Sequence, residues 1–307
     1  MSLPYIGQQI TIYFRWFVVI IGIIGNSLNI WIFSSVRTYY RTFCTFYFLI
    51  ASIDNILYLT TVSISRIIMS GHQIDLTRTS LVWCKIRLYC SSIFVLMSFT
   101  CSYLTAIDQF FITSSNVRLR QWSHIKRAHR IIFILILIWL LHGIPGLIFG
   151  NITSSTNICM VTNNGYTTYI SIYVLTYNSF VLIAFTTAFG YLTYRNIHSR
   201  RILAERQVDL QVVKMTLIQI ILIAISISPY GIYNAYLVAS SQFVKNTDQI
   251  VKETFASTIT TLFTNVYYGG SFYVFLISSQ RFRREIRNRI YFWRRTNRVL
   301  SVQQRTI

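Results

Sequence analysis

Apolar stretches long enough to cross a bilayer recur along this chain, with short basic segments between them. A helix needs roughly 20 apolar residues to span the hydrocarbon core. Seven segments meet that length, at about 10–35, 44–69, 84–110, 131–149, 168–194, 212–237 and 254–278. Backbone inside lipid must satisfy its own hydrogen bonds, so runs of this length are helices rather than isolated strands. The expectation is an all-α membrane protein, a single bundle of seven transmembrane helices.

Charge supports that reading in two ways. Only 12% of residues are charged, against about 25% in soluble domains. The net charge of +20 first suggests nucleic acid, because basic chains rich in aromatics bind phosphates. Here the charges sit in short blocks between apolar runs, which excludes a nucleic-acid partner and writes membrane topology instead. Arg37 and Arg41 follow the first run, and Arg118, Arg120, Lys126, Arg127 and Arg130 follow the third. Arg195, Arg200, Arg201, Arg206 and Lys214 follow the fifth, and nine arginines from Arg281 to Arg305 follow the seventh. Most of the 28 basic residues therefore lie on one side. By the positive-inside rule that side is the cytoplasm, with the N-terminus outside. The segment from Met1 to Ile10 lacks a basic n-region, so the first run is expected to act as its own insertion signal.

This topology organises the cysteines. Cys84 and Cys159 fall on the oxidising side, where a disulfide persists. Bridging them closes a loop of 75 residues, contributing on the order of 4 kcal/mol in the chain-entropy model. Cys44, Cys90 and Cys101 lie within apolar runs as packing residues. The sequon Asn151-Ile152-Thr153 also falls outside, as a candidate glycosylation site. At the other end, Phe282, Ile286 and Ile290 recur at helical spacing among arginines. They predict an amphipathic helix over about 280–292 along the inner leaflet, followed by a short cytoplasmic tail to residue 307.

Polar residues inside the runs need a reason to be there. Asp54 sits mid-span, where a carboxylate costs about 2.5–3.5 kcal/mol or more unless it is paired, protonated or bound to a cation. Asn26, Ser98 and Ser271 are expected to complete a polar pocket with it, and Na+ is the candidate ion near Asp54. The competing reading is a structural hydrogen-bond cluster between helices. Pro229 removes one backbone hydrogen bond from the sixth helix and should kink it. Trp139 is read as a packing residue, and Gly269-Gly270 as loosening the seventh helix. Near the outer ends, Arg15, Arg66, Lys85 and Arg87 either snorkel to headgroups or form a vestibule attracting an anionic ligand.

Seven spans with an outside N-terminus, Gly25-Asn26, Asp54, Cys84 with Cys159, Asp108, Trp139, Pro229 and Phe282-Arg283 occur in this order. Together they resemble the rhodopsin-like (class A) G-protein-coupled receptors over about residues 10–292. That resemblance implies a plasma-membrane receptor, non-enzymatic, signalling through a heterotrimeric G protein by movement of the sixth helix about Pro229. Its inner switch maps onto Asp108-Gln109-Phe110, where the family carries Asp-Arg-Tyr. The family's Cys-Trp-x-Pro is Ser226-Ile227-Ser228-Pro229 here, and its Asn-Pro-x-x-Tyr corresponds to Ser271-Phe272-Tyr273-Val274-Phe275. Ser91 takes the position of the amine-binding aspartate, which argues against an amine ligand. No lysine occurs between Thr254 and Ser278, which argues against retinal. What remains resembles invertebrate orphan and neuropeptide receptors, with a small peptide as the expected extracellular ligand. The alternatives are a receptor fold without G-protein coupling and, behind it, a cation transporter or channel.

Overall fold

The computed structural model describes residues 2–35, 43–72, 74–153, 159–198, 210–240, 243 and 245–289. Seven long helices follow one another among them: α1 (Leu3–Ser35), α2 (Phe43–Gly71), α3 (Leu81–Thr113), α4 (Ile125–Phe149), α5 (Asn164–His198), α6 (Leu210–Ala239) and α7 (Thr247–Ser278). Side-chain caps mark several starts. Ser80 accepts from the Trp83 amide, Asn163 from the Tyr166 amide and Asn246 from the Gln249 amide, each satisfying an otherwise orphan donor.

Six of the seven, α1 to α6, are long and apolar enough to cross a membrane, and the chain is an all-α membrane protein. Their outward faces carry exposed apolar side chains such as Phe17, Phe180 and Ile232. The hydroxyl-, amide- and glycine-rich α7 falls below that apolarity. Many of its hydroxyls return to carbonyls one turn back, as Thr258 does to Thr254 at 2.9 Å and Thr264 to Thr260 at 3.2 Å. Its polar content is thus largely absorbed within the helix.

The helices close into a ring. Pairing runs α1 to α2, α2 to α3, α3 to α5, α5 to α6, α6 to α7 and α7 back to α1, with α4 packed outside against α3. Glycine allows the tightest approach. A Cβ on Gly22 would lie 2.9 Å from the Gly269 Cα, so these residues press α1 onto α7. Gly269 therefore serves close packing, and α7 runs unbroken through Gly269-Gly270 rather than loosening there. Likewise α6 is continuous through Pro229, and Gly231 beyond it lets α6 meet Ser179 of α5.

Two helices are locally underwound into wide, π-type turns: α2 at Leu59–Ser63 and Ile67–Gly71, and α5 at Val174–Val181. Between α4 and α5 a short hairpin forms, β1 (Gly150–Ile152) antiparallel to β2 (Cys159–Val161), pairing Ile152 with Cys159. The Cys84–Cys159 disulfide, with Cα atoms 5.7 Å apart, ties β2 to the start of α3 as expected. Asn151 is exposed on β1.

At the opposite end, residues 280–289 form a further helix, α8. Phe282 is fully buried against Phe33, Phe272 and Phe275, with ring centroids 5.7–6.0 Å apart. Residues 290–292 of the predicted amphipathic helix lie outside the described residues, as do Arg37, Arg41, Arg200, Arg201, Arg206 and the tail to 307. The basic residues expected on the cytoplasmic side that are described, from Arg118 to Arg289, lie at this tail end.

Candidate functional site

Two polar regions lie inside the bundle, one above the other. The lower begins at Asn26, whose amide donates to the Gly22 and Tyr268 carbonyls at 2.8 and 2.9 Å. Its carbonyl oxygen accepts from Asn55 at 3.3 Å and from Ser271 at 3.2 Å. Asn55 in turn accepts from Ser98 at 2.9 Å, and Ser98 and Ser102 both meet the Tyr267 hydroxyl, at 3.0 and 2.9 Å. Asn29 joins through Ser271 at 3.4 Å. The network thus links α1, α2, α3 and α7. A void of about 20 Å³ beside it is lined by Ser52, Asn55, Ser102, Thr216, Gln219 and Tyr267 among others, room for about one water.

Asn26, Ser98 and Ser271 come together as expected, but the carboxylate does not join them. Asn55, the next residue along α2, takes the central place. Asp54 is 5% exposed, one of its oxygens is buried without a hydrogen-bond partner, and it does not line the void. Neighbouring helical residues point about 100° apart, so only one of the pair can face this network. The polar core is therefore an amide–hydroxyl cluster. The residues present do not form the cage expected for Na+ at Asp54, because the Asn26, Ser98 and Ser271 oxygens are engaged with one another, with Asn55 and with Tyr267.

The upper region is a cavity of about 220 Å³ at the hairpin end, walled by all seven long helices, α4 through His142 and Gly146, and by β2. Tyr58 and Tyr268 stack at 3.7 Å, and both line it. Tyr268 also belongs to the lower network through its carbonyl, so one residue joins the two regions. The disulfide holds β2 over this end, where Val161 reaches the wall.

Arg15, Arg66 and Ser91 line the cavity as the vestibule reading expects. Arg87 does not, although it is half-buried on α3. Arg15 is 2% exposed, and its guanidinium reaches one neutral partner, Thr261, at 3.2 Å. Arg66 comes from the segment between the two wide turns of α2. Neither arginine has an ion-pair partner among the described residues, and no aspartate or glutamate lines the cavity. Asp75, the nearest acid in sequence to Arg66, is held by Thr77 and Arg78.

Unmet hydrogen-bonding capacity concentrates here. Arg15 Nε, Arg66 Nε, Asn178 Oδ1 and Asn265 Nδ2 are buried without partners and belong to the cavity wall. So do the hydroxyls of Tyr173 and Tyr268 and the Nδ1 atom of His142. Each unmet buried polar atom costs about 1–3 kcal/mol, so the residues around this void carry a concentration of uncompensated polar cost.

At the tail end, Asp108 accepts from Ser123 at 2.5 Å and keeps its other oxygen buried and unpartnered. Gln109 is 2% exposed, with its carbonyl oxygen also unmet. Phe110 packs edge-on against Phe189 of α5 at 5.5 Å. The triplet therefore points three ways: to the turn before α4, into the bundle and onto α5. A contact not foreseen from the sequence closes this end. Gln211, in the first turn of α6, accepts from the Ser279 hydroxyl at 2.9 Å and from the Arg281 amide at 2.6 Å, holding the α7–α8 junction. Trp139 packs against α3 as expected, and its indole N–H also donates to Thr100 at 3.0 Å.

No family model matches this chain, and no curated protein sequence matches it.

Proposed function

We propose that the chain is a cell-surface receptor of seven membrane-crossing helices. It takes an extracellular ligand, a small peptide in the leading reading, and passes the signal to a heterotrimeric G protein. The observation that carries this is the cavity at the hairpin end. It is bordered by all seven long helices, its lining residues carry several unmet polar atoms, and α6 and α7 connect it to the tail end. A ligand that fits one helix arrangement better than another shifts the balance between them.

Several features support the reading. At 32 residues α7 spans about 48 Å at 1.5 Å per residue, enough for a seventh crossing between α1 and α6. The basic tail end fits the cytoplasmic side of a plasma membrane, which leaves Asn151 and the disulfide outside. Gln211 joins α6 to the α7–α8 junction, so outward movement of α6 about Pro229 must break that contact.

A receptor fold that does not couple to G proteins is the second reading. It is favoured by Gln109, a neutral, buried side chain where the resemblance implies an arginine. A cation pathway fits less well, because Arg15 and Arg66 charge the cavity positively. The deciding experiment is a cell-based G-protein dissociation assay against a peptide library. A response supports the coupled receptor, whereas silence together with a measurable cation flux reverses the order.

A further inference from the structure

We infer that the cavity binds its ligand by a carboxylate, anchored between Arg15 and Arg66, with the rest of the ligand lying against tyrosine and phenylalanine walls. The inference rests on reading the cavity as a ligand site and adds the ligand's chemical class. Three observations carry it.

Arg15 is 2% exposed and has only the Thr261 hydroxyl as a partner, and its Nε is unmet. An arginine buried in the membrane region of a bundle pairs with something or leaves a heavy penalty. Arg66 opens on the same cavity, also with an unmet Nε, and no carboxylate of the described chain lines it. Two positive charges lining one cavity, with no acid beside them in its wall, are complementary to an anion. The planar guanidinium fork suits a carboxylate in particular, which accepts two parallel hydrogen bonds.

The second observation is the wall. Tyr58, Phe99, Tyr230 and Tyr268 add aromatic surface to the same cavity, which favours an organic body over a bare inorganic ion. The third is size. At about 220 Å³ the cavity is below the roughly 300–1,000 Å³ of sites for drug-sized ligands. It fits either a small organic acid or the free C-terminal end of a peptide, with the carboxylate as the shared feature.

The test uses the full chain in lipid nanodiscs, reading melting temperature, so it does not depend on G-protein coupling. Millimolar 3-phenylpropionate is compared with 3-phenylpropionamide, and peptides with a free C-terminus with their amidated twins; inorganic phosphate is the third arm. The acid form should raise the melting temperature saturably, and its amide should bind at least about tenfold more weakly. R15Q and R66Q should each lose the acid effect, whereas R87Q should keep it. An acid–amide contrast in the small molecule alone identifies a small acid, and one in the peptides alone identifies a peptide end. Phosphate matching the acids, amides matching the acids, or no response to any acid each overturns the inference.

A second measurement guards against variants that simply misfold. Without ligand, R15Q should melt no lower than the parent chain, because it removes a buried charge that nothing pairs. A lower melting temperature would assign Arg15 a structural role instead. G-protein signalling driven by neutral ligands sinks the carboxylate inference and leaves the receptor reading intact. Acid binding without any G-protein response does the reverse.

Discussion

The two polar regions of the bundle meet at Tyr268 yet have opposite bookkeeping of hydrogen bonds. Around Asn26 the donors and acceptors of Asn55, Ser98, Tyr267 and Ser271 find one another across four helices. Around Arg15 several polar atoms of the residues that line the cavity are buried without partners. Both regions are buried, and both would read as candidate sites from sequence. Satisfaction separates them in degree: the network and its small void leave Asn29 Oδ1 and Gln219 Oε1 unmet, against seven such atoms on residues lining the cavity. Polarity in a membrane interior is therefore a weaker sign of function than polarity left unpaired.

The largest change should come from unmooring the cavity while leaving the network intact. Cys84→Ser removes the tie over a 75-residue separation. It should cost on the order of 4 kcal/mol, read as a fall in melting temperature that reductant reproduces in the parent chain and not in the variant. An unchanged melting temperature would mean that the hairpin is held by other contacts.

Adjacent residues on α2 give the sharpest contrast. Asn55→Leu strands Ser98 and Asn26, and should destabilise by about 1–3 kcal/mol. Asp54→Val removes a carboxyl with an unmet oxygen and should stabilise by a similar amount, about 1–3 kcal/mol. Exchanging Na+ for K+ should leave the parent melting curve unmoved. A sodium-dependent curve that Asp54→Val abolishes would restore the carboxylate to the network's role.

Smaller effects lie at the ends. Gln211→Ala deprives Ser279 and the Arg281 amide of their shared acceptor. It should cost about 1 kcal/mol and speed hydrogen exchange in the first turn of α8 more than in α7. Uniform exchange across both helices would count against a local latch. Smallest is the cluster at the start of α7. There the hydrogen bond from Lys245 holds the Glu253 carboxyl below its ordinary titration range, helped by Tyr236 and Gln249. A depressed carboxyl pKa contributes stability above the unfolded value and loses it as pH falls through the folded one. A shallow acid-side decline in melting temperature should follow, and Glu253→Gln should remove it.

Much of this architecture was legible in the sequence, because apolar length and charge blocks act over twenty residues at a time. Six apolar helices and the placing of Cys84 and Cys159 at the same end follow from patterns of that scale, whereas the docking of Phe282 on Phe33 and Phe275 does not. The site was legible in its members and not in its geometry. Asn26, Ser98 and Ser271 do converge, but choosing between Asp54 and Asn55 requires the rotation of α2, which a uniformly apolar run does not encode. Arg87 missed the cavity that Arg15 and Arg66 reach for the same reason. Tyr267, Tyr268 and Asn265 looked like ordinary span residues, since a phenol or amide in an apolar run carries no charge to draw notice. The Gly269-Gly270 pair reads as flexibility in sequence, and only the proximity of Gly22 reveals its purpose.

The wide turns of α2 have a consequence for lineage. Each such turn holds one residue more than regular winding requires, and one residue is about 100° of rotation. Deleting a single residue from Leu59–Ser63 would leave composition, length and apolarity nearly untouched. It would relax the wide turn to regular winding and leave Arg66 and Asn55 on their present faces. The same deletion between Asn55 and Tyr58, where the winding is already regular, would swing Arg66 about a quarter-turn relative to Asn55. Among relatives of this chain, one-residue gaps in α2 would then be tolerated at Leu59–Ser63 and not in the regular turns before it.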